Sequence, residues 1–419
     1  MSAVGGRGVE IIEIEDLAAG GAGVGRVRGK VCFVPFTAPG DRASVLVVSE
    51  SRRMVRAELL EVLEPGAGRR TPKCPLFGRC GGCDLQHVSR EEQLSAKSRA
   101  LSRALGVAQV EVCAAGAELG YRRLARLHTD RAPDGTLVLG FLARASDAIV
   151  DLDACPVLHP ALEACLAALK AGLLGHVPGR AEVHLAAGAD GSVAAIETDG
   201  AFSPGFYAAA AGLVPVFAGV VAVTQGVRSV AAGKGDVSLA GADGRPLVTP
   251  APGFGQANEE ANLALGRIVS ECVAQVRPRS VVELFSGAGN LTVVLAGLAK
   301  RVTAAEKDAQ ACRAARTNLA ARRLAGVEVV EGDAFAAYRR HGKGADLVVL
   351  DPPREGHCEL AAAIAAGGHR AVLYVSCDPA TLGRDVEILK AGGFAIVRAA
   401  GFDMFPQTAH VEAAVLLAR

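Results

Sequence analysis

Two side chains near the end of this 419-residue chain have types and positions that suit chemistry neither could perform alone. Cys377 stands in "YVSCDPATL", where a predicted strand leaves a sheet, and Glu412 stands in "FPQTAHVEAAVLL", where another begins. A free cysteine is most often a small buried hydrophobe. The end of a strand facing a cofactor crevice, however, is where reacting groups belong. A thiolate there can add to C6 of a pyrimidine and turn C5, otherwise a poor nucleophile, into an enolate carbon able to take a methyl group from a sulfonium. A base must then remove the C5 proton so that the thiolate can leave. Along a strand of period two, His410 and Glu412 project to one face. Glu412 is the expected base, because a carboxylate in a dry site is tuned upward until it accepts a proton near neutral pH. His410 is expected to position a group or to be a satisfied core residue.

Such a reaction needs a methyl donor. "VVELFSGAGNLT" runs an apolar strand into Gly287-Ala288-Gly289 and then into a helix, which lets a cofactor approach backbone N–H groups at the carboxyl end of a sheet. A dinucleotide fingerprint would want a third glycine where Thr292 stands. Glu306 ends the next strand, at the spacing where an acid accepts both ribose hydroxyls. Asp333, in "EGDAF", follows the third strand and is placed to meet an adenine edge. Either acid alone could simply cap a helix; the ordered set describes S-adenosylmethionine better than NAD. "ADLVVLDPPREG" ends the fourth strand in Asp351-Pro352-Pro353-Arg354, where rigid prolines fix the chain as it leaves the sheet. Amino-group methyltransferases carry an aromatic residue after these prolines. Arg354 in its place makes an exocyclic amine the poorer target.

The elements that must position these groups form three expected segments. Residues 1–66 alternate apolar and polar positions in short runs between Gly- and Pro-rich turns, as a small antiparallel barrel does. Residues 74–252 begin with a cysteine cluster and a polar amphipathic helix and continue mostly as strands. From residue 253 to 419 strands and helices alternate, the pattern of a parallel, doubly wound α/β sheet. The last two strands follow one another without a helix, so one of them is expected to run antiparallel at the edge. A net charge of +1 gives no global field for nucleic acid, leaving local clusters such as "GRVRGK", "SRRMVR" and "YRRLAR". No segment reads as a secretory leader or membrane span, and a cytoplasmic protein without an obligate protein partner is expected. Eleven cysteines in that compartment point to ligation, catalysis or burial rather than disulfides.

In their order along the chain, "FGQAN", "ELFSGAGN", "DPPREG", "YVSCDPATL" and "HVE" resemble the RNA 5-methyluridine methyltransferases, in particular the iron–sulfur-containing 23S ribosomal RNA uracil-C5 enzymes. The likeness spans nearly the whole chain, and the first segment looks like the family's TRAM domain. It implies a Rossmann-like class I methyltransferase domain, S-adenosyl-L-methionine contacts at Gln256, Phe285, Asn290, Glu306, Asp333 and Asp351, Cys377 as nucleophile and Glu412 as base. It also implies that Cys74, Cys80, Cys83 and the remote Cys155 of "DACPVLHP" hold a 4Fe-4S cluster. On physical chemistry alone, four thiolates suit zinc or iron–sulfur equally. The steps of six and three residues, with Gly81-Gly82 inside, favour a compact loop around a cube over paired Cys-x-x-Cys zinc knuckles. The chain departs from the usual motifs at Asp378, where many relatives carry Asn, and at Ser286, where many carry Cys.

A base inside a helix cannot reach a thiolate in a crevice, so the expected RNA is single-stranded, looped or flipped at the target. Lys30, Arg52 and Arg53 of the barrel are expected to grip phosphates in a salt-dependent way. Ribosomal RNA is favoured as partner and transfer RNA is the alternative. Two rival readings remain at this point: an RNA-binding or assembly factor on the same scaffold without catalysis, and an amino-group methyltransferase indifferent to Cys377.

Overall fold

The computed structural model describes residues 8–419. Residues 1–7, the start of the expected barrel segment and of the N-terminus read as leaderless, lie outside the described residues.

Strands β1 (Val9–Leu17), β2 (Gly23–Val27), β3 (Lys30–Val34), β4 (Arg42–Glu50) and β5 (Met54–Glu64) close into a barrel in the order β1-β2-β3-β5-β4. Their alternation sends Ile12, Ile14, Cys32, Val34, Val45 and Val55 inward as one core. Gly25 is required where β1 and β2 cross: a Cβ there would stand 2.4 Å from the Glu13 carbonyl oxygen.

The middle of the chain supplies α1 (Arg90–Leu105), β6 (Val112–Cys113), β7 (Leu124–Arg131), β8 (Leu137–Leu142), β9 (Ile149–Asp151), α2 (Pro160–Gly172), β10 (Ala181–Gly188), β11 (Gly191–Thr198), α3 (Phe206–Gly212), β12 (Gly219–Thr224) and β13 (Val227–Gly233). Seven of these strands form a sheet in the order β13-β12-β11-β10-β7-β8-β9. α2 and α3 cover one face, with Leu162, Leu166, Leu169 and Phe206 buried against Leu127, Val183 and Ile196. A hairpin of β14 (Asp236–Ala240) and β15 (Pro246–Pro250) leads out of this layer.

The remainder alternates as expected: α4 (Glu259–Val276), β16 (Ser280–Leu284), α5 (Thr292–Leu295), β17 (Arg301–Glu306), α6 (Ala309–Ala321), β18 (Val327–Glu331), α7 (Ala334–His341), β19 (Leu347–Leu350), α8 (Cys358–Ala366), β20 (Ala371–Ser376), α9 (Pro379–Ala391), β21 (Ala395–Phe402) and β22 (Glu412–Ala418). The sheet order is β18-β17-β16-β19-β20-β22-β21-β6. β16 to β20 are parallel, and the order reverses beside β16, the switch point at which ligands bind such sheets.

The antiparallel strand is not at the edge. β22 pairs antiparallel with both β20 and β21 and so lies inside the sheet. Its sequence "EAAVLLA" is apolar on both faces, and Glu412 to Leu417 are all buried. Such a run belongs in an interior position, whereas β21, with exposed Ala395 and Val397, faces outward. The edge is closed by β6, which pairs with β21 at Gly401↔Val112 and Phe402↔Cys113. Helix α1 joins the same body, its Leu101 and Leu105 sharing a core with Tyr374, Leu382 and Val386. Residues 90–113 thus pack on the C-terminal sheet although they lie within the segment read as central.

One buried ion pair fastens α1 there. Lys97 (2 % exposed) meets Asp403 (0 %) at 2.5 Å and also donates to the Phe405 carbonyl at 3.1 Å. Breaking a buried pair leaves an uncompensated charge. Lys97→Met is therefore expected to cost on the order of 3 kcal/mol in urea unfolding. Adding Asp403→Leu is expected to recover most of that loss.

Candidate active site

The strand registers decide what meets at the carboxyl edge. Leu284 is level with Leu350, Leu350 with Tyr374, and Ser376 with Ala413. One residue further on lie Phe285 and Asp351 on the parallel side. Cys377 leaves β20 just where Glu412 enters β22. Directly opposed residues of an antiparallel pair have Cα atoms roughly 4.5–5.5 Å apart, so sheet pairing alone brings the thiol and the carboxylate into reach. Asp378 then caps α9, its carboxylate accepting from the N–H groups of Ala380 and Thr381 at 2.9 Å each. Asn and Asp serve equally in that role, so Asp378 makes the cap that Asn would make.

The electrostatics of this corner favour neutral acids. Burial pushes the Cys377 thiol up to about 11; the carboxylates of Glu412 and Asp351 add to this, and the Arg354 guanidinium opposes it. Glu412 is 4 % exposed, and burial together with facing Asp351 holds its carboxyl well above the ordinary range. Burial lifts Asp351 to about 7. His410 does not sit in the core; it stands exposed at the rim, edge-on to Phe405 with ring centroids 6.3 Å apart.

At the glycine loop, Phe285 (φ 64°), Gly287 (φ 55°) and Gly289 (φ 90°) all take left-handed backbone. For Phe285 that conformation persists only because its surroundings over-determine it. A Cβ on Gly287 would meet nothing within 4 Å, so the loop is open above its backbone. Glu306 accepts from the N–H of Gly287 at 3.0 Å and from that of Asp308 at 2.9 Å. A cavity of about 300 Å³ lies here, lined by Gly287, Ala288, Glu306, Asp308 and Phe254. A second, of about 230 Å³, lies across the loop that holds Gln256 and is lined by Arg122, Arg126, His184, Phe254 and Phe405. Asn290 is engaged elsewhere: its amide exchanges hydrogen bonds with Asn262 and accepts from the Ala242 N–H. Asp333 is exposed and caps α7 through the Ala336 N–H at 2.9 Å.

One acid escaped the sequence reading. Glu283 sits within β16, 2 % exposed, with its carboxyl lifted to about 8 by burial and by the nearby Asp351 and Glu306. The signal was a single charge inside the apolar run "VVELF". Ser286 Oγ and Glu283 Oε2 are buried without hydrogen-bond partners, while neighbouring Thr292 opposes the lift on Glu283. Orphaned polar atoms around an open glycine loop fit a ligand that brings its own amine and hydroxyl groups.

The structure brings Cys155 to the clustered cysteines. Cys80 and Cys83 pack against the core that contains it. Burial pushes the Cys83 thiol up to about 12, with Cys155, Cys80 and Cys74 adding to the shift. Cys155 rises to about 11 from burial, with Cys74 and Cys80 adding. Backbone hydrogen bonds brace the loop: Cys74 N–H donates to Gln86 at 3.0 Å, and Cys155 N–H to Glu163 at 3.0 Å. On the barrel, Lys30 is tied to Glu50, while Arg52 and Arg53 are exposed in the turn before β5.

Comparison with known proteins places this geometry. A family model described as tRNA (Uracil-5-)-methyltransferase matches residues 249–419, and one for the TRAM domain of tRNA (uracil(54)-C(5))-methyltransferase matches residues 11–67. A curated relative from Chromohalobacter salexigens, named 23S rRNA (uracil(1939)-C(5))-methyltransferase RlmD, is 36% identical over 97% of this chain and 89% of its own length. The chain belongs to the RNA uracil-C5-methyltransferase family. A namesake of that relative from Klebsiella pneumoniae is 34% identical, covering 99% of this chain and 96% of itself. The crystal structure of Pyrococcus abyssi tRNA (uracil-54, C5)-methyltransferase, in complex with S-adenosyl-L-homocysteine, superposes with a TM-score of 0.74 at 25% identity, covering 99% of this chain and all of that one. Family membership bears out the expected methyltransferase sheet and TRAM-like barrel.

Arg354 is the cation that opposes the rise of the Cys377 thiol. Arg354→Gln is expected to raise that thiol further, so that iodoacetamide labels Cys377 more slowly at pH 9 than in the wild type, read by peptide mass spectrometry.

Proposed function

We propose that this family member methylates C5 of a uridine in structured RNA, with 23S ribosomal RNA as substrate and S-adenosylmethionine as methyl donor, in the cytoplasm. The observation that carries the reading is the register Ser376↔Ala413, which sets Cys377 beside Glu412 at the sheet edge that also holds the glycine loop. The donor supplies an electrophilic methyl on a sulfonium. Cys377, once deprotonated, adds to C6 of the uracil and makes C5 nucleophilic. Arg354 favours that deprotonation by its charge. Glu412 then takes the C5 proton, and the C6–S bond breaks to return the thiolate. A carboxylate in a dry site, lifted above its usual range, is matched to that transfer.

Glu283, Ser286, Glu306 and Gln256 are the residues we assign to the donor, with Phe285 and Asp351 bounding it. Asn290 and Asp333 keep the contacts given them by resemblance only if they exchange their present hydrogen bonds for it. Cys74, Cys80, Cys83 and Cys155 would hold a 4Fe-4S cluster. Among the described residues only Glu182, His184 and Glu197 bring three ligand atoms within 4.8 Å of one another. We divide the chain into a barrel (1–66), a central layer (74–252, apart from residues 90–113, which pack on the C-terminal sheet) and a methyltransferase domain (253–419). Arg52, Arg53, Arg122 and Arg126, with exposed Phe254, offer cationic and stacking contacts to a flipped nucleotide and its flanks. Transfer RNA is the second reading, supported by the full-length likeness to the Pyrococcus enzyme.

Nucleoside mass spectrometry of 23S and transfer RNA incubated with the protein tests this. 5-Methyluridine is expected in 23S RNA and is expected to vanish with Cys377→Ala; methylation that survives this substitution would end the covalent reading. Protein purified without oxygen is expected to carry iron and acid-labile sulfide, and Cys155→Ser to lose both together with thermal stability.

A further inference from the structure

Between β21 and β22 the chain reverses through residues 403–411, and the middle of that strap is held by an unusual concentration of hydrogen bonds on one side chain. Gln407 is 2 % exposed and adopts φ 71°, left-handed backbone that a non-glycine residue keeps only when its surroundings enforce it. Its carbonyl oxygen accepts from the N–H groups of Asp84 and Leu85 at 2.9 Å each, directly after Cys83. Its own N–H donates to Gln93 Oε1 at 3.0 Å. Its side-chain oxygen accepts from Arg70 at 2.8 Å and from Gln93 at 3.1 Å, and its Nε2 donates to Glu118 at 2.9 Å. Every polar atom of this residue is thus spoken for by residues 70–118.

The strap is stiff on both sides of that knot. The Tyr121 hydroxyl donates to the Pro406 carbonyl at 3.0 Å. Thr408 Oγ1 donates to the Phe405 carbonyl at 2.8 Å and accepts from the His410 N–H at 3.2 Å. Two residues later Glu412 begins β22. The hydrogen bonds around Cys377 are of separate origin: Ser376 Oγ with the Asp378 N–H at 3.2 Å, and Thr381 Oγ1 with the Arg354 carbonyl at 2.8 Å. Beyond the β20–β22 pairing that they share, nucleophile and base are therefore braced by different parts of the molecule.

We propose that Gln407 is a positioning residue through which the cysteine-bearing loop and α1 hold the Glu412 carboxylate at the C5 proton, so that the second half of the reaction depends on this knot and the first does not. The inference rests on the assignment of Glu412 as base. In that second half the proton passes from C5 to Glu412, the C5–H electron pair becomes the C5=C6 bond, and the C6–S pair returns to Cys377. A thiolate positioned by β20 and α9 can still attack when the strap is loosened. A carboxylate displaced by a fraction of an ångström transfers the proton poorly.

Two transcripts of 23S RNA, one made with uridine and one with 5-fluorouridine, separate the halves. Fluorine at C5 cannot be removed as a proton, so the second transcript reports attack and methyl transfer as a covalent protein–RNA band, while the first reports whole turnover. For Gln407→Ala, turnover on the uridine transcript is expected to fall about tenfold to a hundredfold. The trapping rate on the fluorinated transcript is expected to keep its wild-type value, and a methylated covalent adduct is expected to accumulate on ordinary RNA. Gln93→Ala, which deletes two of the hydrogen bonds to Gln407 from outside the site, is expected to act in the same direction and carries the test if Gln407→Ala does not fold. Trapping and turnover falling together would show a merely structural role and overturn the proposal, as would unchanged turnover. Absence of any trapped band with the wild type would instead overturn the covalent reading itself.

Discussion

Everything at this site depends on one sheet pairing. β22 runs antiparallel into the gap beside β20, and the register Ser376↔Ala413 makes the residue that leaves one strand face the residue that enters the other. A parallel strand in that position would have delivered its first residue to the opposite edge of the sheet. Reversal brings in the start of the strand instead of its end, so a thiol and a carboxyl group separated by 35 positions in sequence become cross-strand neighbours by backbone geometry. The cost is an apolar strand that must be buried on both faces, and the sequence of β22 supplies it.

That pairing also sets the electrostatics. Bringing Glu412, Asp351 and the Cys377 thiol into one poorly solvated corner raises all three proton affinities. Such a corner disfavours a resting thiolate and gives the Glu412 carboxylate, once ionised, a high affinity for a proton. Exposed Arg354 is then the counterweight on the nucleophile's side. Its position after Pro353, where an aromatic residue would serve an amine substrate, acquires a physical purpose: it offsets the field that the acids impose on the thiol.

Much of this was legible in the chain before the fold was known, because the informative residues sit at strand ends. Periodicity placed the C-terminal strands, and a residue following such a strand must lie at the carboxyl edge; Cys377, Asp351 and Glu306 follow from that alone. The placement of β22 was legible only in part. The missing helix signalled a reversal, but whether the reversed strand lay outside or inside depended on how both its faces would be covered. The packing of α1 and β6 onto the distant sheet was not readable either. It rests on contacts such as Lys97 with Asp403 and Gln93 with Gln407, each separated by more than 300 residues. Asn290 and Asp333 are harder to read, because short polar side chains next to a loop or a helix start satisfy protein partners as readily as a ligand.

The most direct test of the account follows the proton itself. RNA labelled with tritium at uridine C5 releases it to water only if a base removes it after methyl transfer. With the wild-type protein, release is expected to match methyl incorporation one for one; with Glu412→Gln, methyl incorporation is expected to stop near one equivalent of protein-bound RNA with no tritium in the water. Continued tritium release from the Glu412→Gln protein would contradict the pairing of thiol and carboxylate on which the account stands.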